Sequence, residues 1–240
     1  MSANSIIKPR NRILAALPSD EYKRLLPHLK LVTLEYKQVI YEPHKTIRYD
    51  YFPEDSVISM VSTVIDKVVV EVGLAGREGM VCVATFLGAN SSPHQGIVQG
   101  QGSALRIKSS VLREEFKRGG RLQDLLLRYT QAHLVQIAQT SVCNRLHALE
   151  ARLSRWLLMI HDRVDGDEFL LTQDIISIML GAQRTGVTAA AGSLQKNEII
   201  SYSRGRITIL DRQKLEETAC ECYLIVREEY DRLTGARTHS

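Results

Sequence analysis

Near Lys108 the spacing of apolar residues changes from about two to about 3.6, and this change divides the chain into a strand-forming half and a helix-forming half. In the first half, residues 31–35, 39–42, 57–63, 68–72 and 97–108 favour strands separated by Pro or Gly turns. A small all-β barrel or sandwich is expected there. Gly73, Gly76, Gly79, Gly88 and the run 90–93 mark its loops. Ahead of it, Ile13, Leu14, Leu17, Leu25, Leu26 and Leu29 suggest two short helical turns.

In the second half a helix over 121–143 carries two apolar stripes. Leu122, Leu126 and Tyr129 form one; Leu127, Leu134 and Ala138 form the other. At 1.5 Å per residue such a helix is roughly 35 Å long, more than a small barrel covers. One face therefore packs on its own barrel and the other on a second copy of the chain; a helix sandwiched between two domains of one chain is the alternative. The stripe changes phase around 144–147, where Leu149, Leu153, Trp156, Leu157 and Ile160 begin a new amphipathic helix that ends near the turn 165–167. The division that follows is a β-rich sensor domain over 1–118, a long dimerisation helix over 119–146, and a third unit over 147–240.

The third unit holds the most specific local pattern. Thr172 suits an N-cap for an eight-residue helix with Ile175, Ile176, Met179 and Leu180 inward, and Gly181 permits the left-handed turn that stops it. A second helix over 183–197 buries Val187, Ala190, Ala191 and Leu194 and leaves Gln183, Arg184, Thr185 and Thr188 outward. In a helix-turn-helix the second helix enters the DNA major groove with its first residues at base edges. Two short strands around Ser203-Arg204-Gly205-Arg206 then form a basic wing. From Gly181 to Lys214 six cations face two anions, the local concentration that phosphate binding needs, whereas the whole chain carries only +4.

Composition excludes other classes. The chain is 44% hydrophobic and 24% charged, which describes a globular protein and not a disordered one. No apolar run approaches the roughly 18 residues of a membrane span, and the opening Met1 to Pro9 lacks the apolar stretch of a secretory leader, so a cytoplasmic location with no membrane partner is expected. Cys82, Cys143, Cys220 and Cys222 show neither a disulfide framework nor paired CxxC motifs, so reduced thiols and no metal are expected. Leu215, Ala219, Cys222, Tyr223, Val226, Tyr230 and Leu233 read as one amphipathic helix with Cys222 in its core face and Cys220 pointing elsewhere. Neither HExxH, P-loop nor GxSxG is present, so no enzyme and no catalytic residue is expected. Asp162, Asp165, Asp167 and Glu168 form an acidic turn whose spacing misses an EF-hand and reads as a solvated loop.

The order of β-rich domain, long helix, helix pair and wing resembles the Crp/Fnr family of bacterial transcription regulators over nearly the whole chain. The most specific likeness runs from Leu171-Thr172-Gln173-Asp174-Ile175 through Gly181-Ala182-Gln183-Arg184 to Leu194, Ile200 and the wing at Gly205. The resemblance implies an α+β chain with a cyclic-nucleotide-binding-type barrel of double-stranded β-helix or jelly-roll form, a long dimerisation helix and a winged helix-turn-helix. It also implies a homodimer on palindromic double-stranded DNA, with RNA polymerase as a partner if the protein activates. By position Arg184 falls at the family's base-reading arginine, while Thr172, Gln173 and Gln183 fall at phosphate contacts; Arg204 and Arg206 belong to the wing.

Thr185 and Ala189 replace a glutamate and a second base-reading arginine of the family, so a different operator is expected, read by Arg184, Thr185 and Thr188. The sensor half departs further. Members that bind cyclic AMP use a Gly-Glu pair and an Arg-Ser pair, whereas this chain offers Arg77, Glu78 and Gly79, then His94 and Gln95, as its ligand-pocket positions. An effector other than cyclic AMP, or none, is therefore expected, with no cofactor. No cysteine precedes Cys82, which excludes an N-terminal iron-sulfur cluster, and His44, His94 or Cys82 as haem ligands read more simply as packing or surface residues. Arg77 and Glu78 read as solvated loop charges. Two other readings are a small-molecule-binding module that acts through protein partners with a vestigial helical domain, and a hydrolase that uses Glu78 and His94.

Overall fold

The protein, seen in a computed structural model that describes residues 9–63 and 69–235, opens with helices α1 (Arg12–Ala15) and α2 (Ser19–Leu25). Asn11 caps α1 by accepting from the Leu14 amide. Seven strands follow: β1 (Lys30–Leu34), β2 (Val39–Tyr41), β3 (Tyr49–Pro53), β4 (Val57–Thr63), β5 (Val69–Ala75), β6 (Gln95–Gly100) and β7 (Gly102–Lys108). Val68, the expected start of a strand, and residues 1–8 of the opening segment lie outside the described residues.

The strands form two antiparallel sheets in the orders β1-β7-β3 and β2-β6-β4-β5. Leu34, Tyr51 and Ala104 of one sheet pack with Tyr41, Ile58 and Val98 of the other, so the half is a jelly-roll-like pair of sheets and not a closed barrel. The stretch expected as one strand over 97–108 is two, because Gly100-Gln101-Gly102 turns the chain from the four-stranded sheet into the three-stranded one. Strand β3 escaped the periodicity reading since its pattern holds Asp50, fully buried and bonded by the Thr85 hydroxyl at 2.7 Å. Two of the glycines read as loop marks have a different reason. A Cβ at Gly79 would meet the Tyr129 ring at 1.9 Å, and one at Gly76 would meet the Arg163 stem at 2.6 Å.

Helices α3 (Ser109–Lys117), α4 (Arg121–Leu146) and α5 (Leu149–His161) follow. In α4 the two stripes separate as their spacing requires. Leu122, Leu126 and Tyr129 are buried with Ile13, Phe52 and Met80 of the same chain. Leu127 and Leu134 are 47% and 55% exposed, and Ala138, Val142 and Leu146 extend that open face toward the C-terminal end. Only His147 and Ala148, both in extended backbone, separate α4 from α5.

Strand β8 (Glu168–Leu170), helices α6 (Gln173–Leu180) and α7 (Arg184–Lys196), strands β9 (Ile200–Ser203) and β10 (Arg206–Ile209), then helices α8 (Arg212–Thr218) and α9 (Cys222–Thr234) complete the chain. The wing is a three-stranded antiparallel sheet, β8-β10-β9, so the hairpin expected from sequence gains a third strand from the acidic turn. The single helix expected over 215–233 is two, because Ala219 is extended (φ −70°, ψ 154°) and a new helix starts at Cys222. One apolar core joins Val57, Val61 and Leu74 of the sheets to Trp156, Leu157, Ile176 and Leu180. Helix α9 lies back on α4, with Val226 and Tyr230 in the same core as Leu126 and Tyr129. Among the described residues no helix is long and apolar enough to cross a membrane.

Candidate nucleic-acid interface

Short-range chemistry builds the helix pair. The Thr172 hydroxyl accepts from the Ile175 amide at 3.3 Å, which satisfies one of the donors a helix start leaves free. At the other end Gly181 sits at φ +56°, and the amides of Gly181 and Ala182 return to the carbonyls of Ile178 and Ser177. Helix α7 then starts behind Gln183, whose side chain makes no capping bond, so amide donors of its first turn face outward. Val187, Ala190, Ala191 and Leu194 are buried, and Gly186 lets α7 approach Leu149 of α5.

On the outer face Gln183, Arg184, Thr185 and Thr188 are exposed. The Arg184 guanidinium rests against Asp174 at 3.1 Å, with both side chains about two-thirds exposed (66% and 65%). A surface pair of this kind is worth about 0–1 kcal/mol, so Arg184 can leave it for a stronger acceptor. The Thr188 hydroxyl, with one proton to donate, lies 2.9 Å from the Arg184 carbonyl and 3.0 Å from Gln173 Oε1, so it is engaged within the fold. In the wing, Arg204 occupies the turn at φ +50° and is exposed, whereas Arg206 pairs with Glu168 at 2.7 Å. The acidic turn is thus not simply solvated: Asp165 holds Arg10 and Arg77, Asp167 meets His161, and Asp162 accepts from Arg212.

The expected ligand-pocket residues do not gather in one place. Glu78, read as a solvated charge, is 6% exposed and buried in an ion pair with Arg163 Nη2 at 2.8 Å. Arg77 donates to the Arg163 carbonyl and to Asp165, and Gly79 lies against Tyr129, so these three residues line the seam between the two halves. The reading of Arg77 and Glu78 as loop charges therefore fails, because the helical half folds back onto that loop. His94 alone of the five lines the cavity of the β-rich half, with Gln95 next to it at the start of β6.

That cavity, about 350 Å³, lies between the four-stranded sheet and α4 and is walled by groups such as Tyr41, Met60, Val81, Leu134 and Ile137. No arginine, lysine or carboxylate among the described residues lines it. Its two histidines are held neutral by burial, which pushes His133 down to about 4 and lowers His94 as well.

The seam carries a second buried carboxylate. Glu71 on β5 accepts from the Trp156 indole at 2.8 Å and from the Ser59 hydroxyl at 2.6 Å. Burial pushes its pKa up to about 7, against the pull of these donors and of Arg155 and Arg163. Because the folded carboxyl keeps its proton where a solvated glutamate has lost it, Glu71 favours the docked state fully below about pH 4.5 and loses that contribution as pH rises through 7. The loss is on the order of 3 kcal/mol at its limit. Urea unfolding between pH 5 and 8 should therefore show a shallower fall for Glu71→Gln than for the parent protein, and equal slopes would remove Glu71 from the account.

Sequence reasoning missed one cluster. Cys143 and His147 at the end of α4 meet Cys220 and Cys222 before and at the start of α9. Cys220, expected to point elsewhere, faces Cys143 with the sulfurs 3.5 Å apart, because the helix break at Ala219 turns it inward. The signal was present as Cys-x-x-x-His and Cys-x-Cys, but in two segments some 70 residues apart in the chain.

The helix pair, its glycine stop and the three-stranded wing define a winged helix-turn-helix protein. Residues 151–218 match the family model described as the Crp-like helix-turn-helix domain. FixK2 from Bradyrhizobium japonicum shares the fold with a TM-score of 0.67 at 15% identity, over 80% of this chain and 98% of that one. The c-di-GMP responsive regulator CLP from Xanthomonas campestris superposes with a TM-score of 0.62 at 12% identity, over 80% and 99%. A CooA variant from Carboxydothermus hydrogenoformans gives 0.61 at 14% identity, over 87% and 94%. No protein of curated function matches the chain in sequence. Residues 151–218 thus form a Crp-like helix-turn-helix domain, and the chain as a whole shares its fold with these solved proteins.

Proposed function

We propose that the protein is a sequence-specific transcription regulator that binds palindromic double-stranded DNA as a homodimer joined along α4. The observation that carries this reading is the open N-terminal half of α7, where Arg184 is held only by an exposed ion pair beside a basic wing. A guanidinium there can take the O6 and N7 acceptors of a guanine, worth about 1–3 kcal/mol of discrimination. Thr185 and the Thr188 methyl group suit a neighbouring thymine. Thr172, Gln173, Gln183, Arg204 and Arg206 then serve as phosphate contacts.

The exposed stripe of Leu127, Leu134 and Ala138 supplies the second copy's seat, and in a dimer two recognition helices stand about 34 Å apart, one turn of DNA. The effector would be a neutral, largely apolar small molecule, since an anionic ring phosphate would find no cation in the cavity. Cyclic AMP is disfavoured on that ground. The reading includes no catalytic step, places the protein in the cytoplasm, and gives it RNA polymerase as a partner if it activates.

Selection of DNA from a random pool tests this reading, repeated with two variants. Arg184→Ala should relax the preference at one base pair in each half-site. Arg204→Ala should weaken every sequence alike and lower the salt slope by about one. A random pool that yields no enriched palindrome would overturn the reading.

A further inference from the structure

We propose that Cys143, His147, Cys220 and Cys222 bind one thiophilic divalent cation of the zinc class and staple the end of α4 to the start of α9. The four donor atoms all lie within 4.8 Å of one another. A tetrahedral zinc with bonds near 2.3 Å to sulfur and 2.0–2.1 Å to nitrogen places two sulfurs about 3.8 Å apart and a sulfur and nitrogen about 3.6 Å apart. The Cys143 and Cys220 sulfurs stand at 3.5 Å, and Cys222 Sγ stands 3.4 Å from His147 Nδ1. These two separations match a tetrahedral cage to within a few tenths of an ångström, and the remaining ones, all inside 4.8 Å, close by at most about 1 Å. A disulfide between Cys143 and Cys220 would need the sulfurs to close to about 2.05 Å, and all four cysteines are free thiols.

Three surrounding groups fit a metal better than a thiol pocket. His147 Nε2 faces Glu221 Oε1 at 3.2 Å, which presents Nδ1 to the cage as in carboxylate-histidine-zinc arrangements. The Gln139 amide donates to Cys222 Sγ at 3.1 Å, a bond that a thiolate strengthens. Arg155 is 2% exposed and makes no salt bridge with a carboxylate among the described residues, yet it lies close enough to attract Cys143. Three thiolates and a neutral imidazole around a divalent cation sum to one negative charge, and this buried guanidinium supplies its counter-charge. On binding, three thiol protons pass to the buffer and three sulfur–metal bonds and one nitrogen–metal bond form, with no change of oxidation state.

The site spans the two-residue link at His147–Ala148, so its occupancy ties the last turn of the dimer helix to the winged half. The test uses the full-length protein, reduced and stripped with a chelator, then titrated with cobalt(II) and with zinc(II) against a chromophoric chelator. One equivalent per chain is expected, with thiolate-to-cobalt charge-transfer bands and the intense red d–d bands of tetrahedral cobalt. Cys222→Ser should lose that spectrum. Glu221→Gln, whose parent side chain is 69% exposed and so safe for folding, should weaken zinc affinity 10- to 100-fold. The proposal is overturned by an octahedral cobalt spectrum, by no uptake, by a Glu221→Gln affinity equal to the parent's, or by a Cys143–Cys220 disulfide whose reduction restores no metal binding.

Discussion

Replacing Arg163 by alanine is expected to lower the unfolding free energy by about 3–5 kcal/mol, the cost of stranding a buried partner charge. Both side chains of the pair are only 7% exposed. Arg163 donates through Nε and Nη2 to Glu78 at 2.9 and 2.8 Å and through Nη1 to the Met159 carbonyl at 2.6 Å. Glu78 also accepts from the Gly76 amide at 3.1 Å. Without the guanidinium, the carboxylate must take up a proton or admit water into the seam. Adding Glu78→Gln to Arg163→Ala should recover part of the loss, because neither charge of the pair then remains. Urea unfolding followed by the fluorescence of Trp156, the chain's one tryptophan, measures both variants. A loss below about 1 kcal/mol in the single variant would show that solvent already screens the pair.

The second large effect concerns assembly. Under the proposed α4 dimer, Leu127→Glu combined with Ala138→Glu should yield a monomer and reduce affinity for a palindromic operator by a factor of about 100 or more. Both positions are exposed within one chain, so folding should survive. Two half-site contacts on one rigid body bind with an effective-concentration advantage of 10²–10⁴, and a monomer forfeits it. Sedimentation of the variant checks the assembly state, and titration of a single half-site should show unchanged affinity. A variant that still sediments as a dimer would place the contact elsewhere on the molecule.

Legibility in the sequence followed the range of the interactions. Thr172 and Gly181 act on amides within three or four residues, so the bounds of α6 and the start of α7 could be read from residue type alone. The two stripes of α4 were readable for the same reason, since one helix sets their spacing. The β-rich half was harder. Asp50 and Glu71 are buried carboxylates whose partners, Thr85 and Trp156, lie 35 and 85 residues away, and no local pattern announces such a pairing. Glu78 was misread because a loop glutamate is usually wet; its dryness comes from Arg163, which only the docking of the second half delivers. The cysteines were counted correctly but could not be brought together without knowing that α9 returns to α4.

That return has a consequence for how the molecule can be divided. With Val226 and Tyr230 wedged beside Leu126 and Tyr129, the last helix belongs by packing to the β-rich half and α4 although it follows the wing in the chain. A fragment cut at the link before α5 would carry an orphaned greasy ridge, and the remaining piece a matching bare trough. The two halves are better regarded as a buckle and its strap than as beads on a string, with no slack tether between them.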